Sequence, residues 1–179
     1  MQDLSLHILD IAENSIAAGA TEIAITIDED TRRNLLLLTI KDNGRGLDAE
    51  ARAAVLDPFY TTKSKRVGLG LPMLAQSARE ADGELSIQSE AGRGTTITAR
   101  FVYDHIDRRP LGNIAETLVT LVTAGGTAVD IVYEHRRDGD GFLFDTKEVK
   151  EDLQDVPINN PEVLNFLKET ITSGLEELR

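Results

Sequence analysis

A chain of 179 residues that is 41% hydrophobic and 28% charged has enough apolar material for a real core, and a formal net charge of −12 leaves most of its surface repellent to polyanions such as nucleic acid. It has no cysteine and three scattered histidines, which excludes a disulfide framework and thiolate chemistry and argues against a structural zinc site. No apolar run approaches the roughly 20 residues of a membrane span and no basic segment leads into an apolar one at the N-terminus, so a cytoplasmic protein without membrane partners is expected.

The spacing predicts a helix over 4–18, with Leu4, Ile8, Ile11 and Ser15 on one flank, Leu9, Ala12 and Ile16 beside them, and Gly19 as its stop. His7, Asp10, Asn14 and Ala17 gather on the opposite flank, where an amphipathic helix ordinarily faces water. Residues 21–27 alternate as a half-buried strand. After an acidic loop over 28–33, residues 35–40 form a nearly all-apolar second strand, expected to be central and hairpinned to the first. That strand runs into Asp42-Asn43-Gly44-Arg45-Gly46-Leu47. An acid at a strand end can point a carboxylate into a cleft, and two glycines allow positive φ and close backbone approach. Asp48 is placed to cap a short helix reaching about Leu56, which Asp57-Pro58 breaks.

The single concentration of basic residues, Lys63, Lys65 and Arg66, precedes Gly68-Leu69-Gly70-Leu71 at the head of a helix over 71–81, with Pro72 in its first turn. Exposed N–H groups and the helix dipole at such a start suit phosphate. Two strands follow, 84–89 and 95–103, turned by Ala91-Gly92-Arg93-Gly94, so that Thr95 stands at a strand start. Beyond Asp104 come a polar connector to Pro110, a helix over 111–124, strands over 127–134 and 141–145 joined by Arg136-Arg137-Asp138-Gly139-Asp140, and helices over 147–153 and 161–178. This portion shows no catalytic constellation, and Asp138, Asp140 and Asp145 lack the ligand spacing of a calcium loop.

Four signals in fixed order carry a resemblance: the helix Asp10-Ile11-Ala12-Glu13-Asn14-Ser15 continuing to Thr21, the Asp42-Gly44-Gly46 stretch, the loop ending in Gly68-Leu69-Gly70-Leu71, and Gly92-Arg93-Gly94-Thr95. Over about residues 4–103 the chain resembles the GHKL superfamily of gyrase, the ninety-kilodalton heat-shock chaperone, histidine kinases and MutL. The resemblance implies the Bergerat ATP-binding fold: an α+β, two-layer α/β sandwich with a mixed, largely antiparallel sheet and helices on one face. A first domain over 1–103 and a C-terminal α/β extension over 104–179 follow from it, the extension adding strands to the same sheet or forming a small separate unit, with a homodimer seam as reasonable as internal packing.

By the same resemblance the cofactors are ATP and Mg2+. Asn14 takes the metal, Asp42 accepts from the adenine amino group, Gly44 and Gly46 let the chain pass close to the base, and Thr95 supports the adenine contact. Residues 57–63 match the histidine-kinase F box, Lys63 reaches a phosphate, and Gly68, Leu69, Gly70 and Leu71 form the phosphate-binding segment. Asp10 stands where gyrase and MutL carry a catalytic glutamate, four residues before the asparagine; it is the candidate catalytic base. Arg66-Val67 replaces the usual Gly-Thr, and the lid is short. No phosphoacceptor is expected in cis, because the pattern starts within ten residues of Met1 and His7, His105 and His135 lack the acceptor setting. The expected function is therefore slow ATP hydrolysis or phosphotransfer to a separate protein, as a histidine-kinase core or a serine kinase of the anti-sigma type; the alternative is a nucleotide-sensing adaptor whose partner interface lies in residues 104–179.

Overall fold

The structure, a computed structural model, describes residues 3–55 and 70–178. Its elements run α1 (Leu4–Ala17), β1 (Glu22–Asp30), β2 (Leu35–Asp42), α2 (Ala49–Ala54), α3 (Gly70–Glu80), β3 (Glu84–Glu90), β4 (Gly94–Val102), α4 (Ile114–Gly125), β5 (Asp130–Arg137), β6 (Asp140–Asp145), α5 (Thr146–Leu153) and α6 (Pro161–Glu176). The strands form one six-stranded sheet in the order β3-β4-β2-β1-β5-β6. All neighbours are antiparallel except β1 and β5, which run parallel from Glu22 opposite Asp130 to Glu29 opposite Arg137. The sheet is thus the mixed, largely antiparallel one expected, and of the two arrangements open for the extension, its strands continue the same sheet.

Burial alternates strictly. Ile23, Ile25 and Ile27 of β1, Leu36, Leu38 and Ile40 of β2, Ile97, Ala99 and Phe101 of β4, and Ile131 and Tyr133 of β5 point to one face. Against that face pack the apolar stripes of α1 (Leu4, Ile8, Ile11), α3 (Leu74, Ala78), α4 (Leu118, Leu121) and α6 (Leu167, Ile171), giving two layers around one core. On the opposite face Thr26, Thr39 and Thr98 align across β1, β2 and β4 and remain half-buried. The chain is therefore an α+β two-layer sandwich.

Several boundaries depart from the sequence reading. β1 runs on through Asp30, so the loop is residues 31–34, and Glu29 becomes a buried inward residue of the alternation. The β5–β6 turn contracts to Asp138-Gly139, both at positive φ (51° and 107°), the two-residue hairpin that Asp-Gly favours. α4 starts at Ile114, because Asn113 caps it by accepting from Glu116 N at 3.0 Å.

Glu29 sits in a buried polar chain: His135 Nε2 lies 2.6 Å from its Oε1, and His135 Nδ1 lies 3.0 Å from the Tyr133 hydroxyl. Burial pushes the Glu29 pKa up, but the hydrogen bond and charge of His135 outweigh it and hold the carboxyl below its ordinary 4.5. A depressed carboxyl pKa stabilises the fold above the unfolded value, and that contribution is lost as pH falls through the lowered folded value. Urea unfolding at a series of pH values is expected to show wild-type stability falling more steeply below pH 4.5 than that of Glu29→Gln.

Candidate nucleotide site

One end of the sheet collects the residues that the sequence singled out. β2 ends at Asp42, a residue 9% exposed whose carboxyl is turned toward α1. Ser15 Oγ donates to Asp42 Oδ2 at 2.7 Å and Gly44 N donates to Oδ1 at 2.9 Å, so the acid is held in one orientation with acceptor capacity to spare on both oxygens. Ser15 is the residue whose role the sequence reading missed. The available signal was a hydroxyl inside the apolar stripe of α1, where a buried polar group needs a partner.

Glycines keep the walls together. A Cβ on Gly44 would sit 3.1 Å from Asp42 Oδ1 and 3.2 Å from the Ala18 carbonyl oxygen. Gly94, at φ +87°, lies so close beneath the strand end that a Cβ would fall 2.0 Å from the Asp42 carbonyl oxygen. Gly46, at φ +66°, is pressed likewise on the Glu90 backbone. Backbone bonds lace the two glycine loops to each other and to α1, from Gly92 N to Arg45 O at 2.7 Å and from Arg45 N to Ala18 O at 3.1 Å. Asn43 braces the turn from the other side, its Oδ1 accepting from Thr21 N at 2.8 Å and Glu22 N at 3.0 Å. Gly94→Ala is accordingly expected to lower unfolding free energy by about 2–4 kcal/mol, while Gly92→Ala, at positive φ but with open space around it, costs about 1 kcal/mol. Urea denaturation of the two variants checks the contrast.

Thr95 stands opposite Asp42 in the β2–β4 register, on the same side of the sheet. Its hydroxyl lies 2.8 Å from Ser89 Oγ, and that hydroxyl in turn accepts from Leu47 N at 2.8 Å, tying strand β3 to the end of the glycine stretch. A groove of about 450 Å³ opens beside Asp42, Ser89 and Thr95 and is lined also by Lys41, Arg52 and the ion pair of Arg93 with Glu90.

Along α1 the polar flank is graded. Asn14 is exposed one residue before Ser15, Asp10 is half-buried one turn earlier, and His7 is 2% exposed. The flank does not simply face water as its periodicity implied, because α3 and α4 both pack on α1. Burial lowers the pKa of His7, with the Gly70 backbone and Asp10 pulling the other way. The start of α3 meets this flank: a Cβ on Gly70 would lie 1.9 Å from Asp10 Oδ2, so a larger residue there would displace the carboxyl from its present place. Among the described residues Asp10 Oδ2 and His7 Nδ1 are buried without a hydrogen-bond partner, which is costly unless something is recruited there. The Leu71 side chain turns into the core.

Asp10, Asn14, Asp42, Gly44, Gly46, Gly70 and Thr95 are thus built into the contiguous packing of α1, the β2 end, the β4 start and the head of α3. Lys63, Gly68 and Leu69, with the whole 57–63 segment, lie outside the described residues. Among the described residues no three acids or histidines could cage a metal, and no helix is long and apolar enough to cross a membrane. A second groove, lined by Glu29, His135 and Arg137, lies toward the far end of β1 and β5.

Comparison with known proteins follows the same residues. The family model described as histidine kinase-, DNA gyrase B-, and HSP90-like ATPase matches residues 2–105. Sporulation kinase C of Bacillus subtilis (strain 168) is 38% identical over 89 residues, covering 50% of this chain and 21% of its own length. Sensor protein kinase FleS of Pseudomonas aeruginosa is 36% identical over 109 residues, covering 61% of this chain and 27% of its own. The chain therefore spans about a fifth to a quarter of these curated relatives. Among solved structures, the N-terminal domain of a DNA repair protein superposes with a TM-score of 0.55 at 16% identity over 80% of this chain and 52% of that one, a likeness of fold.

Proposed function

Because the chain belongs to the family of histidine kinase-, DNA gyrase B- and HSP90-like ATPases, we propose that its histidine kinase-like ATP-binding domain binds ATP with Mg2+ between α1, the β2 end and the head of α3, and either hydrolyses it slowly or transfers its phosphate to a separate protein. The observation that carries this reading is Asp42, a buried carboxylate at the end of β2 oriented by Ser15 of α1 and by Gly44.

In this reading Asp42 accepts from the adenine amino group, and Thr95, held by Ser89, flanks it. Gly44 and Gly46 let the turn close on Asp42, Ala18 and the Glu90 backbone, which sets the wall that a flat base would meet. Asn14, the exposed oxygen-bearing side chain of the α1 flank, holds the metal. An oxygen ligand of this kind suits Mg2+, which binds through one or two protein ligands plus phosphate oxygens. When bound, the ion supplies charge neutralisation at the phosphates. Asp10 acts as the base: its Oδ2, which has no hydrogen-bond partner among the described residues, takes a proton from an attacking water or a partner's hydroxyl or imidazole. Gly70 and Leu71 present the first backbone N–H groups of α3 on the phosphate side.

Similarity to two protein kinases favours transfer over hydrolysis alone as the purpose of the site. Incubating the folded chain with γ-labelled ATP, with and without cell extract, tests it. A labelled partner that disappears with Asp10→Ala is the expected result. Free phosphate alone reduces the function to an ATPase, and no turnover of either kind leaves only nucleotide sensing.

A further inference from the structure

Outside the nucleotide site, helices α5 and α6 leave an apolar groove between them. It has a volume of about 320 Å³ and is walled by Val149 and Leu153 of α5 and by Val163 and Phe166 of α6, with Asp152 and Glu162 among its lining. Phe166 is 66% exposed, and Val156, in the connection between the two helices, is 46% exposed. An aromatic ring left that open beside three aliphatic side chains is a surface short of a partner.

Charge says what kind of partner. The two lysines of α5 are turned away onto the sheet: Lys147 Nζ sits 3.0 Å from Glu22 Oε2, and Lys150 Nζ lies 2.8 Å from the Val129 carbonyl oxygen and 2.9 Å from Asp130 Oδ1. Lys168, the one lysine of α6, pairs with Glu116 of α4. To the Asp152 and Glu162 of the lining are added further exposed acids, Glu148 and Asp155 on the α5 side and Glu169 one turn beyond Phe166. Such a rim repels nucleic acid and anionic lipid, and a two-fold contact between copies of this chain would set the same acids against each other.

We propose that the α5–α6 groove docks a basic amphipathic helix of a separate protein, its apolar stripe seated on Val149, Leu153, Val163 and Phe166 and its lysines or arginines on the acidic rim. Apolar residues about one turn apart on each helix, Val149 and Leu153 on α5 and Val163 and Phe166 on α6, suit the spacing of a helix laid into a groove better than an extended strand, which would need an open sheet edge. The proposal does not rest on the nucleotide reading, since the groove shares no residue with that site.

The probe is a fluorescein-labelled peptide of about 18 leucine and lysine residues patterned as an amphipathic helix, with a scrambled peptide of the same composition as control. Anisotropy on the full chain is expected to show one-to-one binding of the patterned peptide, weakened at least tenfold in Phe166→Ala and in the double variant Asp152→Lys, Glu162→Lys. Backbone amide shifts on peptide addition are expected to fall on α5 and α6. Equal affinity for the scrambled peptide, unchanged affinity in both variants, shifts centred elsewhere, or no binding overturns the proposal. So does a homodimer in sedimentation that Phe166→Ala dissociates, or binding to anionic vesicles that Phe166→Ala abolishes, because the groove would then have a different occupant.

Discussion

Asp42→Asn is expected to weaken ATP binding by about 10- to 100-fold while leaving the fold intact. The asparagine fills the same space, and its one carbonyl oxygen can still accept from Gly44 N as Oδ1 does at 2.9 Å. The amide nitrogen then occupies the place of Oδ2, where Ser15 Oγ now donates at 2.7 Å. The Ser15 hydroxyl can rotate and accept instead, so the protein tolerates the change. An adenine amino group cannot: it would meet a donor where it needs an acceptor, and the charge behind the bond is gone. A charge-assisted hydrogen bond contributes roughly 1.5–3 kcal/mol, and each 1.4 kcal/mol is a factor of ten in affinity. Titration calorimetry with Mg-ATP on both proteins, beside circular dichroism, measures it. Affinity within twofold of wild type would mean that the adenine lies elsewhere.

Asp10→Ala is expected to act on turnover and not on binding. Loss of a positioned base costs on the order of 10²- to 10⁴-fold in rate, with ATP affinity changed only a few-fold because Asp10 is remote from the adenine end. Stability should hold or rise, since the substitution removes a buried carboxylate oxygen that has no partner among the described residues. This combination separates a base from a structural acid. Were Asp10 there to hold α1 against α3, its removal would lower the urea midpoint and lower binding and turnover together. Single-turnover kinetics with labelled ATP, beside urea unfolding, reads both quantities.

How much of this was legible beforehand depended on whether the interaction was local in sequence. α1, the β1–β2 hairpin and the Asp42-Gly44-Gly46 turn could be read because period, strand end and glycine placement are all encoded within a few residues. The same holds for Asp48, which caps α2 by accepting from Ala51 N at 2.8 Å. The parallel pairing of β1 with β5 could not be read, since it joins Glu22 to Asp130 across more than half of the chain and nothing in either strand's alternation names its partner. Glu29 shows the same limit: in sequence it is one acid of a charged loop, and only the register that sets β5 beside β1 supplies the buried His135 that lets a carboxylate stay inside.

On α1 the failure was of a different kind. Periodicity correctly put His7, Asp10 and Asn14 on one flank, but the helix is covered from two sides, so that flank runs from buried at His7 to exposed at Asn14. Ser15 was counted with the apolar residues, correctly for burial, without the consequence that its hydroxyl must find an acceptor; Asp42, 27 residues on, is that acceptor. Exact positions in the Lys63, Gly68 and Leu69 segment lie outside the described residues, so the phosphate end of the site rests on Gly70 and Leu71 alone.

The most direct test of the central claim is a crystal structure of the full chain with a non-hydrolysable ATP analogue and Mg2+. The predicted result places the adenine amino group in hydrogen-bond contact with Asp42, the base against Gly44 and Thr95, and the ion on Asn14 with Asp10 facing the terminal phosphate. A nucleotide found in the groove of Glu29, His135 and Arg137, or an adenine without contact to Asp42, would contradict it.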